Sequence, residues 1–293
     1  MTKTSFLFSG QGAQKLGMTR DLYDKFDIVK KTFNRASELL SYDLRQLIDS
    51  EEEKLNQTEY TQPAILTSSV AIYRLLSENG IKADAVAGLS LGEYSALVAS
   101  SALDFDQAVQ LVAKRGKFMS EAAPSGLGKM LAVMNTDVQL IEDICKQAAL
   151  ETEAIVSPAN YNTIKQIVIG GEVKAVNRAE ELLKLAGTKR IIELKVSGPF
   201  HTALLKDASE KLALELEKIQ FTKFQLPLIS NTKADIMKED EIKSLLARQV
   251  MEPVRFYESI EKMSSLGVTR YIELGPGKVL SGFVKKILSD IEV

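Results

Sequence analysis

Two residue types that often carry protein chemistry are nearly missing. The 293-residue chain has one cysteine, Cys145, and one histidine, His201. A single cysteine excludes an intrachain disulfide and a thiolate metal cluster, and it fits a reducing cytoplasm. A single histidine excludes a histidine-rich metal site, and it means that any imidazole base has to be His201. No apolar run reaches the length of a membrane span. No signal region is expected, since Met1-Thr2-Lys3-Thr4 leads directly into Phe6-Leu7-Phe8. Neither charge sign dominates. A net charge of -2 gives no overall pull toward nucleic acid or an anionic membrane, and neither is expected as a partner. What remains is ordinary for a soluble globular protein, 45% hydrophobic and 26% charged, long enough for one large domain or two modest ones.

Against that background one stretch stands out. Val86-Ala87-Gly88-Leu89-Ser90-Leu91-Gly92-Glu93-Tyr94 reads as a buried strand turning abruptly into a helix. Gly-x-Ser-x-Gly is the nucleophile-elbow pattern, in which a strained serine is exposed at a helix N-terminus. There, unpaired N–H groups and the helix dipole favour developing negative charge. The plainer reading is an ordinary strand-to-helix turn capped by serine. The glycine-rich loop at 9–14 lacks the third glycine of a dinucleotide fingerprint, since position 15 is Lys15. Gly275-Pro276-Gly277-Lys278 fails as a phosphate loop, with Ile272 and Val279 at the required positions.

Leu22, Phe26, Val29, Phe33, Ala36 and Leu40 predict one helix, and 49–54 a solvated connection. Gln62-Pro63 predicts a helix start with Pro63 in its first turn, and Asn79-Gly80 its end. This order predicts a parallel α/β sheet. After the elbow helix, Asp104 caps a helix whose apolar stripe (Ala108, Leu111, Val112, Met119) includes Arg115. A guanidinium on a buried face needs a partner. Periodicity alone favours a structural ion pair. However, one helix climbs about ten residues from Ser90 and the next returns about ten, at about 1.5 Å each, which brings Arg115 back to the level of Ser90. A cation there suits a substrate carboxylate held bidentately.

From Pro124-Ser125-Gly126 the rhythm changes. Strands over 129–134, 154–158, 166–169 and 189–194, with helices over 138–150 and 173–186, give the β-α-β-β-α-β order of a ferredoxin-like unit. Asn160, with Tyr161 and Asn162, is expected in the loop between the two middle strands, reaching the cleft between subdomains. Val196-Ser197-Gly198-Pro199-Phe200 returns the chain to the larger part. His201 is then expected near a helix N-terminus, either as an incidental cap residue or as the base for Ser90. Strands over 224–230 and 269–274 and a helix over 241–250 follow.

Gly10-Gln11-Gly12-x-Gln14, Gln62-Pro63-Ala64, Gly88-x-Ser90-x-Gly92-Glu93-Tyr94, Arg115-Gly116, Gly198-x-Phe200-His201, Arg255-Phe256 and Glu273-x-Gly275-Pro276-Gly277 occur in order. Together they resemble the malonyl-CoA:acyl carrier protein transacylases of bacterial type II fatty-acid synthesis, over essentially the whole chain. The resemblance implies an α/β-hydrolase-like large subdomain (1–124 and 196–293) with a parallel sheet, and an inserted ferredoxin-like small subdomain (125–195). It implies Ser90 as nucleophile and His201 as base, with the main-chain carbonyl of Gln249 orienting the histidine. It also implies an oxyanion hole from the N–H groups of Gln11 and Leu91, Arg115 as clamp for the malonyl carboxylate, Phe200 as the malonyl-selecting residue and Met119 in the acyl pocket. Leu89 departs from the pattern, since many members carry histidine before the serine. The implied reaction is a ping-pong transfer from malonyl-CoA to acyl carrier protein, with no bound cofactor or metal, by a monomeric cytoplasmic enzyme. Acidic carrier proteins call for a local basic patch. Lys189, Arg190, Lys285 and Lys286 fit one, and equally fit ordinary solvated positions. The rivals are a serine esterase, which would usually carry a triad acid, and a non-catalytic carrier-binding scaffold, which would need neither Ser90 nor His201.

Overall fold

The computed structural model describes residues 2–124, 126–289 and 291–293. Strand β1 (Lys3–Phe8) is the centre of the first sheet, with β2 (Ala85–Gly88) on one side and β7 (Val268–Leu274) on the other, both parallel to it. Both faces of this sheet are covered, so Phe6-Leu7-Phe8 of β1 and Ala85-Val86-Ala87 of β2 read as unbroken apolar runs rather than alternating ones. Phe6, Phe8 and Val86 join a core with the helices Asp27–Leu40, Thr58–Glu78, Gly92–Ala99 and Phe105–Ala122. Leu7, Ala85 and Ala87 face the other way, into a cluster with the helices Phe256–Ser265 and Val279–Ile287. The Phe105–Ala122 helix lies tight on the Thr58–Glu78 helix because Gly116 has no Cβ. One placed there would come within 2.6 Å of the Thr58 carbonyl oxygen.

A second sheet holds β3 (Gly128–Met134), β4 (Val156–Thr163), β5 (Gln166–Glu172) and β6 (Arg190–Glu193), all antiparallel, in the order β4-β5-β3-β6. With the helices Val138–Thr152 and Val173–Leu185 this is the expected β-α-β-β-α-β unit. The period of two divides its side chains. Leu131 and Val133 pack under the two helices with Ile167 and Ile169, whereas Met130, Ala132 and Val168 belong to the core of the larger part. The two sheets are separate, and residues of the second pack a core of their own. Of the expected ranges 1–124 with 196–293 and 125–195, the ends at Met1 and Ser125 lie outside the described residues.

Several expectations fail locally. The helix after the first loop breaks at Phe26, which is extended (φ -123°) between Arg20–Lys25 and Asp27–Leu40. Its N–H closes the first helix onto Leu22, and Asp27 opens the second. The 49–54 connection is helical at both ends, Leu44–Ser50 and Glu52–Leu55. Pro63 lies inside a helix that begins at Thr58, not in its first turn. The expected strand over 224–230 shrinks to two isolated bridges, Leu228 with Val86 and Ile229 with Ile236, and the Gln225 N–H at its start is taken by the Ser100 carbonyl. Asn160, Tyr161 and Asn162 lie in β4 rather than in a loop. Among the described residues, no helix is long and apolar enough to cross a membrane.

Two glycines test this packing in opposite directions. A Cβ on Gly92 would run into the main chain of Phe8, whereas one on Gly282, inside the Val279–Ile287 helix, meets nothing within 4 Å. Gly92→Ala should cost about 1–3 kcal/mol or more despite the better helix propensity of alanine. Gly282→Ala should add about 0.5–1 kcal/mol. Denaturant midpoints of both variants check the pair.

Candidate active site

Ser90 lies one residue past the end of β2, after Leu89, with φ +54° in the left-handed region that L-residues rarely adopt. The turn fits only because Gly88 and Gly92 lack side chains. A Cβ on Gly88 would collide with the main chain of Gly92. The strained conformation is held by side-chain amides. Asn231 accepts from the Ser90 N–H at 2.6 Å and donates to the Gly88 carbonyl at 2.6 Å. The Gln249 Nε2 donates to the Ser90 carbonyl at 3.0 Å.

His201 also has positive φ, +60°. It lies just before a helix N-terminus, as expected, but not on the helix itself. The Gly198–Phe200 turn, closed by the Phe200 N–H on Gly198, and the Thr202 hydroxyl on Pro199 bend the chain first. The helix proper begins at Lys206 after a turn over Ala203–Leu205. This bend sets the imidazole against the serine, with Nε2 2.8 Å from the Ser90 Oγ. Nδ1 is 2.6 Å from the Gln249 main-chain oxygen. A carbonyl only accepts, so Nδ1 carries the proton and Nε2 is left to accept from the hydroxyl. Gln249 is the last residue of the helix Ile242–Gln249, where carbonyls lack intrahelical partners. Burial, and then the Arg115 cation, pull the imidazole down to about 4, against the opposing pull of the Gln249 carbonyl.

Arg115 is 1% exposed and lies beside the nucleophile, its Nη2 3.2 Å from the Ser90 Oγ. Nη2 also donates to the Gln249 Oε1 at 2.9 Å, and Nη1 to the Gln62 Oε1 at 2.8 Å. The guanidinium stands 5.3 Å from the centre of the Tyr94 ring. Among the described residues its buried Nε has no partner. Gln62 Nε2 in turn contacts the Met119 sulfur at 3.4 Å.

A cavity of about 240 Å³ opens on Ser90 and His201. The loop Ser9–Ala13, Met119 and Phe200 line one side, and Met130, Asn160, Asn162 and Val168 from the second sheet line the other. Gly10 lies against the Leu89 carbonyl, too close for a Cβ, so the loop touches the elbow. Among the described residues, the N–H groups of Gln11 and Leu91 have no hydrogen-bond acceptor. Asn160 and Asn162 share one face of β4, while Tyr161 points away and donates to Glu142 at 2.7 Å.

The sequence between residues 5 and 292 matches the acyl transferase domain family. The malonyl CoA-acyl carrier protein transacylase of Bacillus subtilis (strain 168) is 47% identical, over 98% of this chain and 91% of that one. The crystal structure of the Streptococcus pneumoniae enzyme of this kind has a TM-score of 0.96 and 63% identity, covering 99% of this chain and 94% of that one. A malonyl-transacylase in complex with its holo type II PKS acyl-carrier protein has a TM-score of 0.95 and 45% identity, covering 98% and 93%. The chain belongs to the malonyl CoA-acyl carrier protein transacylase family.

For this transacylase-family chain, the geometry gathers Ser90, His201, Gln249, Arg115, Gln11, Leu91, Met119, Phe200 and Asn160 around one cavity or in contact with groups that line it. Lys189, Arg190, Lys285 and Lys286 are all exposed. Lys285 and Lys286 are on the helix whose Val279, Leu280 and Phe283 line the cavity. Sequence reasoning assigned no role to three buried polar residues, Gln62, Glu93 and Asn231. Glu93 carried a signal, since an acid inside the apolar run Leu91 to Ala99 has to be partnered. Asn231 carried none, because its contacts are 141 and 143 residues away in the chain.

Asn231→Ala would leave the Ser90 N–H and the Gly88 carbonyl buried and unpaired. The expected loss is about 1–3 kcal/mol per group. A fall in the thermal midpoint, together with faster hydrogen exchange at the elbow, checks this.

Proposed function

We propose that this protein transfers the malonyl group of malonyl-CoA to the phosphopantetheine thiol of acyl carrier protein, providing the extender unit for fatty-acid synthesis. The transfer runs in two halves through a malonyl ester on Ser90. His201 Nε2 takes the hydroxyl proton as Oγ attacks the thioester carbonyl. The tetrahedral oxyanion sits between the N–H groups of Gln11 and Leu91, each worth about 3–4 kcal/mol in comparable sites. Collapse breaks the carbon–sulfur bond, and the CoA thiol leaves with the proton from His201. The carrier thiol then gives a proton to His201 and attacks the ester. The second collapse returns the serine hydroxyl. These steps use only the protein's own side chains and main chain. No further cofactor enters them.

The observation that carries this reading is Arg115. Its Nη2 is within reach of the Ser90 Oγ, and its Nε has no partner among the described residues. A malonyl group on Ser90 places its free carboxylate only a methylene beyond the acyl carbon, where this fork can hold it. An esterase would have no use for that cation. Its histidine would usually face a carboxylate, whereas His201 faces the Gln249 carbonyl. Met119, Phe200 and Asn160 shape the acyl pocket from both sides, with Phe200 excluding branched extenders. Exposed Lys189, Arg190, Lys285 and Lys286 are assigned to the acidic carrier. We place the enzyme in the cytoplasm as a monomer, a setting consistent with its one buried free cysteine.

A donor panel tests the reading. Intact mass should show a malonyl adduct on the wild type that is absent from Ser90→Ala. Arg115→Ala should lower kcat/KM for malonyl-CoA roughly 10- to 150-fold relative to acetyl-CoA, the equivalent of a charged hydrogen-bond pair. If malonyl preference survives this change, the clamp is wrong. Free malonate released faster than malonyl-carrier product would favour the esterase.

The pH profile tests the base. With His201 held down to about 4, the imidazole is neutral across the usual range. The acylation kcat/KM should therefore rise with pH through about 4 and be level across 6.5. An acid limb near 6.5 would show an imidazole that burial and Arg115 do not perturb.

A further inference from the structure

Glu93 is a fully buried carboxylate that the transfer steps do not use. Its Oε1 accepts from the Asn231 N–H at 2.7 Å, and its Oε2 accepts from the Gln249 Nε2. Burial pushes this carboxyl up to about 7, against the pull of the two donors and Arg115.

The consequence lies in the Gln249 amide. The ionised carboxylate has no proton to give and the Ser90 carbonyl only accepts, so Gln249 turns its NH2 end toward both. The Ser90 carbonyl accepts from the same nitrogen at 3.0 Å. With the NH2 end committed, Oε1 faces Arg115 and accepts from Nη2 at 2.9 Å. The reversed amide would set NH2 against a guanidinium, donor against donor. Gln62 takes Nη1 at 2.8 Å. The two oxygens together hold the guanidinium by its Nη atoms and leave Nε unpartnered.

We infer that Glu93 is a specificity-determining positioning residue, which fixes the orientation of the Gln249 amide and through it the aim of Arg115 at the substrate carboxylate. This rests on the reading of Arg115 as the malonyl clamp. Glu93 touches no substrate. It acts two hydrogen bonds away from the guanidinium and, together with the Ser90 carbonyl, commits the NH2 end of the amide.

The test is Glu93→Gln, which keeps the shape but lets the replacement amide donate as well as accept. Transfer from malonyl-CoA should fall about tenfold or more, mainly through KM, while transfer from acetyl-CoA changes by no more than about twofold. A merely structural role would lower both donors in parallel, and parallel loss overturns the inference, as does unchanged malonyl preference. Glu93→Asp provides a second arm should Glu93→Gln not fold. It keeps the charge, leaves Gln249 intact, withdraws the carboxylate from the Gln249 amide, and should show the same selective loss. Equal loss for both donors in that variant also overturns the inference. Arg115→Ala separates the two levels of failure. Retained malonyl preference in Arg115→Ala refutes the clamp itself, whereas lost preference there with full preference in Glu93→Gln refutes only the positioning.

Discussion

A guanidinium with almost no solvent contact has to be satisfied without being neutralised, and much of the site follows from that demand. Burial of Arg115 disfavours its charged form. The usual remedy is a direct carboxylate, but a bidentate carboxylate would occupy the fork and cancel the charge that an incoming anion needs. This protein uses two amide oxygens instead, from Gln62 and Gln249. They satisfy two nitrogens and leave the positive charge standing. The carboxylate that does balance it, Glu93, is one amide away. The same arrangement acts on His201. Burial, and then the nearby cation, hold the imidazole neutral, and the carbonyl behind Nδ1 opposes them less than a carboxylate would.

Gln249 therefore serves from both ends. Its main chain belongs to the last turn of a helix, where a carbonyl is free by the geometry of helix termini. Its side chain belongs to the buried polar network. A residue at that place can orient the base with one oxygen and the cation with the other.

The elbow, the single histidine and the stripe position of Arg115 were legible because each is a local pattern. The glycines at 88 and 92 are needed for a tight turn, and one histidine leaves no choice of base. The β-α-β-β-α-β order was legible from the alternation of short apolar runs with helical periods. The failures share a cause. Phe26 kept the helical spacing of its neighbours but lies at a break between two helices, and spacing does not record a one-residue extended link. The run over 224–230 had strand composition, yet it keeps only single bridges at Leu228 and Ile229, and its Gln225 N–H is taken by the Ser100 carbonyl after the elbow helix, a contact between distant segments. His201 sits in a left-handed bend that composition does not announce. Asn231 clamps the elbow from 141 residues away, and nothing within its own neighbourhood marks it.

The misplacement of Asn160 is more instructive than a wrong boundary. As a loop residue it would reach the cleft from a mobile tip. As a β4 residue it is held by a ladder, and the period of two sends Asn160 and Asn162 to the cavity while Tyr161 turns back toward Glu142. The same period divides β3, whose Met130 lines the cavity while Leu131 and Val133 face the helices of the inserted unit. The inserted sheet thus uses one face to bury its own core and the other as a wall for chemistry that the elbow carries. Rigid wall residues cannot relax around a bulkier acyl chain as a loop would. On the proposed reading, acyl selectivity is consequently set jointly by the charge of Arg115 on one side and the spacing between two sheets.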